Sequence, residues 1–239
     1  MKVIIGGRGK MGSLLAETAE KAGYEVLGMF DAFNLDELET CEKADMIIDF
    51  SHRNNLGWII DYVNANDCAL VYGTTGLTDE QKEQIFALAE NHPVFLSSNF
   101  SYGVAVLQEL IRVAAPLLEE TFDIELTETH HNQKQDAPSG TARTLLDILN
   151  RDGKYKEVYG RSGMTGAREK EIGVHSLRGG TEAGEHSVHF FGSNESITIT
   201  HHADNRMIFV NGAVRAAGYL QDKGPGLYTM KDLLFGKDE

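Results

Sequence analysis

The stretch KVIIGGRGKMGSLLAETAEKAGYEVLGMFD, residues 2 to 31, leaves little freedom in what the first part of the chain can become. Val3, Ile4 and Ile5 form an unbroken apolar run, as expected of a parallel strand covered on both faces. Met11, Leu14, Leu15, Thr18, Ala19 and Ala22 then recur at helical spacing, and Gly23 supplies a stop. YEVLGMF reads as a second strand. Strands ADMIIDFS, CALVYGTTG and PVFLSSN alternate with helices RNNLGWIIDYVNAN and TDEQKEQIFALAEN. This alternation predicts a Rossmann-like, doubly wound parallel sheet of the α/β class over residues 1–101. The segment AFNLDELETCEKADMIID leaves little room for a helix between the second and third strands, which should alter the sheet edge.

Past residue 101 the pattern changes. GVAVLQELIRVAAPLLEE reads as a helix, and FDIELTETHH as a half-buried strand in which Phe122, Ile124 and Leu126 alternate with polar residues. Continued at period two, that apolar face passes Glu128 and reaches His130. GTARTLLDILN is a further helix, and the polar, glycine-rich residues 152–173 read as a loop. GVHSLRG, GEHSVHFFG and ESITITHHA look like antiparallel strands, FVNGAVRAAGYLQDK like a last helix. The expected second domain is therefore α+β with a mixed sheet over 102–215, with 216–239 returning to complete the first domain.

Between the first strand and helix, Gly7, Gly9 and Gly12 fit GxGxxG, while Gly6, Gly9 and Gly12 fit GxxGxxG. Without side chains the backbone bends sharply and approaches a pyrophosphate, which the helix N-terminus attracts. Asp31 ends the second strand about twenty residues on, where a ribose-binding carboxylate belongs. That carboxylate suits the free 2′-hydroxyl of NADH; Arg8 and Lys10 are placed to pair with the 2′-phosphate of NADPH. Cofactor preference stays open on these residues.

The segment THHNQKQDAPSGTA, residues 129–142, is the second concentration of chemistry. Adjacent strand residues point to opposite faces, so His130 and His131 make a poor metal pair. Nothing in the sequence brings them to the second pair, His201 and His202, and no metal is expected. GxxxxGK[ST] spacing is absent, so this is no Walker loop. Pro138-Ser139-Gly140-Thr141 opens a helix whose unpaired N–H groups, helped by Lys134, suit a carboxylate. His130, His131 and Lys134 can also deliver protons near neutral pH.

The formal charge of -14 argues against a nucleic-acid partner, whose phosphates would need a basic face. MKVIIGG is too short for a signal-peptide core, no stretch suits a bilayer, and Cys41 and Cys68 show no CxxC spacing. The expectation is a cytoplasmic protein with no membrane and no nucleic-acid partner.

ETHHNQKQDAPSGTA closely resembles the E-x-H-H-x-x-K-x-D-x-P-S-G-T-A signature of the dihydrodipicolinate reductase (4-hydroxy-tetrahydrodipicolinate reductase) family. GGRGKMG, DFS, GTTG, SSNFSYGV, GEHSVHF, ITHHADNRMIFVNGAVRAA and GLYTMKDLL are similar to further segments of that family, in the same order. The resemblance implies an NADH- or NADPH-dependent reductase of the cyclic dicarboxylate made from pyruvate and aspartate-semialdehyde, on the diaminopimelate route to lysine. It implies His130 as general acid and Lys134 as a substrate-binding residue that assists protonation. His131, Ser139, Gly140 and Thr141 would hold a substrate carboxylate. Gly6, Gly9, Lys10, Met11, Gly12 and Asp31 would bind the pyrophosphate and adenosine side of the cofactor; Phe50, Ser51, Gly73, Thr75, Ser98 and Phe100 would line the rest. It further implies a homotetramer whose C-terminal sheets build a central barrel. Some relatives carry Arg after the ribose-contacting acid; here that residue is Ala32. Another nicotinamide-linked dehydrogenase and a non-catalytic NADH sensor are the competing readings. The first lacks a use for the His-His-x-x-Lys and Pro-Ser-Gly-Thr combination. The second leaves His130 and Lys134 without a role.

Overall fold

The structure, a computed structural model, describes residues 1–236. Residues 237–239, the end of the expected return segment, lie outside the described residues. The chain divides into two compact units, Met1–Tyr102 with Met207–Glu239, and Gly103–Arg206. The return thus begins at Met207, ahead of the expected residue 216.

In the first unit, strands β1 (Lys2–Gly6), β2 (Glu25–Phe30), β3 (Met46–Asp49), β4 (Ala69–Tyr72) and β5 (Pro93–Leu96) alternate with helices α1 (Lys10–Lys21), α2 (Leu35–Glu39), α3 (Leu56–Asn66) and α4 (Asp79–Ala89). Every residue of β3 and β4 is buried, as expected of central parallel strands, and both are apolar except for Asp49 at the end of β3. Thr78 and Gln81 close a reciprocal capping box at the start of α4. The short linker does hold a helix, α2, of only five residues. It is too short to carry the chain beyond β2, which stays at the sheet edge, while β3 pairs on the opposite side of β1. The register Gly6↔Asp49↔Tyr72 aligns the C-terminal ends of β1, β3 and β4 in one row. The topological switch between β1 and its two neighbours falls at that rim, where open α/β sheets bind ligands.

The second unit builds its own five-stranded sheet. After α5 (Tyr102–Leu118) come β6 (Asp123–His130), α6 (Gly140–Leu149), β7 (Lys156–Tyr159), β8 (Glu171–Arg178), β9 (Gly184–Gly192) and β10 (Glu195–Ala203). The order is β10-β9-β6-β8-β7. Ile124, Leu126, Val188 and Phe190 on the sheet pack with Leu107, Ile111, Leu145 and Leu149 of the helices. Each such fully buried side chain contributes about 1.5–3 kcal/mol.

Two expectations need correcting. Segment 152–173 is not all loop, because β7 lies within it. KEVY is only half-buried and lacks alternation, so its sequence carries no strand period. GVHSLRG is not antiparallel: β8 runs parallel to both β6 and β7. The helical crossover through α6 returns the chain in the same direction, which parallel pairing requires. GEHSVHFFG and ESITITHHA do pair antiparallel.

The last part of the chain returns to the first sheet. Helix α7 (Met207–Leu220) leads to β11 (Gly226–Tyr228), which pairs parallel with β5 and extends the sheet to six strands. Helix α8 (Met230–Phe235) follows. Gly212 lets α7 press on the chain at Phe100, since a Cβ there would sit 1.7 Å from the Phe100 carbonyl oxygen.

Candidate active site

The glycine turn is built as its spacing predicts. Gly7 adopts a φ of 97° and donates from its N–H to the Phe30 carbonyl at 2.7 Å. A Cβ on Gly12 would lie 2.0 Å from the Gly7 oxygen, so only glycine allows the helix to start this close to the loop. Gly9 is the N-cap of α1 and offers no side chain to the first-turn N–H groups, and no acidic residue lies in that turn. Nothing approaches within 4 Å of where a Gly9 side chain would stand. Open space over donors of one sign fits a dinucleotide's pyrophosphate.

Lys10 and Met11 begin α1. Asp31 follows β2, and its Oδ1 accepts from the Phe33 N–H at 2.9 Å. Phe50 and Ser51 follow β3, Gly73 and Thr75 follow β4, and Ser98 and Phe100 follow β5. With Gly6, Gly9 and Gly12 these residues therefore gather on the C-terminal rim of one sheet. Gly73 makes room for the Phe50 ring, which lies 4.9 Å from that of buried Phe100.

In the second unit, β6 turns the period-two face into a polar terminus. Ile124 and Leu126 are buried, and so are Glu128 and His130 beyond them. His130 Nδ1 lies 2.5 Å from Glu128 Oε2. Arg178 Nη1 and Nη2 donate to the two oxygens of the same carboxylate at 2.9 and 2.8 Å, and the Ser139 N–H donates to Oε1 at 3.3 Å. Burial pushes the Glu128 carboxyl up, but the hydrogen bonds from His130, Arg178 and Ser176 outweigh it and hold the group far below the usual range. An ionised Glu128 only accepts, so His130 Nδ1 donates and Nε2 is the end left for chemistry. A Cβ on Gly184 would stand 3.0 Å from that Nε2, so glycine keeps it uncovered.

Lys134 Nζ pairs with Asp136 Oδ1 at 2.8 Å, and the Lys134 N–H donates to the His131 carbonyl at 3.1 Å. Lys134 is the first cause that holds the Asp136 carboxyl below its ordinary value. Ser139 is the N-cap of α6 and accepts from the Ala142 N–H at 3.2 Å. Gly140 and Thr141 open the helix, with no acid in the first turn. His131 is half-buried just past the end of β6. The structure thus brings His130, His131, Lys134, Ser139, Gly140 and Thr141 to one end of the second unit's sheet.

Three residues escape sequence reasoning. Arg178 is the partner that lets Glu128 be buried as an anion. His186, on β9 opposite Glu128, lies with its ring centroid 5.1 Å from that of His130 and its Nε2 2.9 Å from Ser139 Oγ. Burial, then the neighbouring His130, pushes its imidazole down to about 4, so it stays neutral. Gly184, His186, Val188 and Phe190 are all buried at period two, and that alternation in GEHSVHF is the signal the sequence carries for it. His201 pairs in register with His186, so the sheet joins what the sequence leaves apart. Asp49, buried at the end of β3, is the third. Donor atoms of Glu128, His130 and His186 lie within 4.8 Å of one another. Both Glu128 oxygens are already engaged by a guanidinium cation, so this set reads as a hydrogen-bonded network rather than a metal centre.

A parallel sheet of this order with a glycine turn at its first strand makes the chain a Rossmann-like nucleotide-binding enzyme, and the His/Lys pair beside an anion-binding helix start suits a reductase. The family models agree. "Dihydrodipicolinate reductase, N-terminus" matches residues 1–100 and "Dihydrodipicolinate reductase, C-terminus" matches residues 103–234. The chain belongs to the dihydrodipicolinate reductase family and is an oxidoreductase. It is 45% identical to the 4-hydroxy-tetrahydrodipicolinate reductase of Brachyspira hyodysenteriae over 98% of this chain and 100% of that one. It is 43% identical to the enzyme of the same name from Caldanaerobacter subterraneus, over 97% of each chain. Among solved structures, dipicolinate-bound dihydrodipicolinate reductase from Paenisporosarcina sp. TG-14 superposes with a TM-score of 0.78 at 27% identity, covering 96% of this chain and 97% of that one.

Proposed function

We propose that the protein reduces 4-hydroxy-tetrahydrodipicolinate, or the dihydrodipicolinate derived from it, to tetrahydrodipicolinate in the diaminopimelate route of lysine biosynthesis. NADH or NADPH, when bound, supplies the hydride. The glycine turn and the start of α1 hold the pyrophosphate, Asp31 the adenosine ribose, and Phe50, Ser51, Gly73, Thr75, Ser98 and Phe100 line the nicotinamide half. His131, Ser139, Gly140 and Thr141 hold a ring carboxylate, and Lys134 adds the fixed positive charge. His130 delivers the proton from Nε2, with Lys134 assisting.

The observation that carries this reading is the Glu128–His130 pair clamped by Arg178. The carboxylate fixed on Nδ1 sets the orientation of His130 and leaves Nε2 as the end for proton transfer, a general-acid arrangement. The dipicolinate in the solved relative supports a small ring dicarboxylate as the ligand class. Ala32, with no charge to meet a 2′-phosphate, favours NADH.

The same reading takes the protein as a cytoplasmic homotetramer. Leu177 on β8 and Phe191 on β9 are exposed on the sheet face that points away from the helices, which suits sheet-to-sheet assembly. Cys41 and Cys68 are free, and among the described residues no helix is long and apolar enough to cross a membrane. Light scattering on the purified protein tests the tetramer. The activity is tested by generating the unstable substrate in situ with the condensing synthase and following nicotinamide absorbance. Oxidation of NADH or NADPH that depends on both synthase substrates is expected, and its absence with both nucleotides would overturn the assignment.

A further inference from the structure

Asp49 is fully buried at the end of β3, and no salt bridge reaches it among the described residues. Its Oδ1 lies 2.5 Å from Ser51 Oγ and its Oδ2 lies 2.6 Å from Thr74 Oγ1. Both hydroxyls donate to the carboxylate. Ser51 Oγ already accepts from Asn55 Nδ2 at 2.9 Å, and Thr74 Oγ1 already accepts from the Ser51 N–H at 2.8 Å. Each hydroxyl thus accepts from a neighbour while its own proton goes to the carboxylate. With both oxygens accepting, Asp49 belongs in this network as an anion.

The network touches four strand ends. Asn55 Oδ1 accepts from the Ala32 N–H at 3.2 Å, beside Asp31 after β2. On β1, a Cβ at Gly6 would meet Asp49 Oδ1 at 2.2 Å, so the first glycine of the turn makes room for this carboxylate. After β4, the Gly73 N–H donates to the Asp49 carbonyl at 2.8 Å. Burying an anion without a cation costs stability, and a fold retains such a group where it serves a site.

We propose that Asp49, as an anion, is the positioning residue of the cofactor cradle: it locks the ends of β1, β3 and β4 and the Ala32 loop into the shape that takes the dinucleotide. The inference rests on the cradle reading above and adds a residue that does not itself touch the cofactor. It also makes nucleotide affinity depend on pH. Burial pushes the carboxyl up to about 6, against hydrogen bonds from Ser51 and Thr74. The groups facing it are Gly6 from β1, Tyr72 and Thr74 from β4 and its loop, and Ser51 and Asn55 after β3. Tyr72 is the titratable one, and burial and Asp49 push its phenol up, so it stays neutral. Binding that requires the anion weakens as pH falls through about 6, by up to about tenfold per pH unit. The negative pyrophosphate alone would act in the opposite direction, so the sign is diagnostic.

The test measures NADH affinity by fluorescence titration, with thermal unfolding alongside, above and below that pH. Wild type should weaken on acidification. Asp49→Asn should bind about tenfold more weakly at neutral pH and lose the pH dependence. Thr74→Val, which removes one donor, should move the wild-type midpoint up by about one pH unit. Because the carboxyl is raised to about 6 from its ordinary 3.8, its ionisation costs stability progressively as pH rises between those values, so the Asn variant should gain thermal stability relative to wild type across that window and keep the gain above it. Unchanged NADH affinity in Asp49→Asn, a wild-type affinity that is flat or tightens on acidification, or a stability difference independent of pH would each overturn the proposal. Gly9→Glu separates this from failure of the cradle reading: its side chain enters open space, so the fold survives, yet its bulk and charge cover the start of α1. If Gly9→Glu binds NADH like wild type, the cradle is misplaced. If it fails to bind while Asp49→Asn behaves as wild type, only the role of Asp49 falls.

Discussion

Replacing Arg178 by Met keeps most of the aliphatic stem but removes two donors from a carboxylate with no solvent exposure. Those donors lie 2.9 and 2.8 Å from Glu128, and the Arg178 side chain is itself only 19% exposed, so solvent screens the pair weakly. Breaking a buried pair from one side costs about 3–5 kcal/mol. Here His130 and the Ser139 N–H remain on the carboxylate, which places the expected loss near the lower bound, about 3 kcal/mol. The pH dependence carries a definite sign. Glu128 is held well below its ordinary value of 4.5, so its contribution is present above 4.5 and is lost as pH falls further. Urea unfolding followed by circular dichroism should show the variant destabilised at neutral pH, with the gap to wild type narrowing below 4.5. Turnover should fall as well, since a carboxylate freed from Arg178 no longer fixes the orientation of His130. An Arg178→Met protein as stable as wild type at neutral pH would refute the view that this guanidinium is what keeps Glu128 buried and ionised.

Lys134→Ala should lower turnover by roughly 10²- to 10⁴-fold, the scale for losing a proton-transfer group, while leaving NADH affinity unchanged; wild-type turnover would remove Lys134 from the chemistry. Ala32→Arg should shift the ratio of kcat/KM toward NADPH by about tenfold or more, because a guanidinium beside Asp31 would meet the 2′-phosphate; steady-state kinetics with both nucleotides decides it.

The parts of the molecule that are legible in the sequence are those with strong local periods. Val3-Ile4-Ile5, the glycine turn and the amphipathic helix after it specify their own conformations, and the register of the sheet follows from them. Period two along Ile124, Leu126, Glu128 and His130 is enough by itself to put two ionisable groups on the buried face of β6. Where the sequence misleads, the deciding contacts are tertiary. The direction of β8 depends on the crossover through α6, and β7 has no alternation of its own to announce it. Asp49 sits inside the DFS segment, yet its role emerges only when Thr74 and Asn55 arrive from other parts of the unit. His186 and Arg178 become visible once β9 and β8 flank β6.

In the proposed reaction, hydride comes from the nicotinamide and a proton from the protein side. This is tested most directly with NADH deuterated at the transferable position, the substrate generated in situ in ordinary water, and the product weighed by mass spectrometry. The product should carry one deuterium per molecule, carbon-bound and retained on exchange into fresh water. Product formed without deuterium, or deuterium that washes out, would contradict that origin of the hydride.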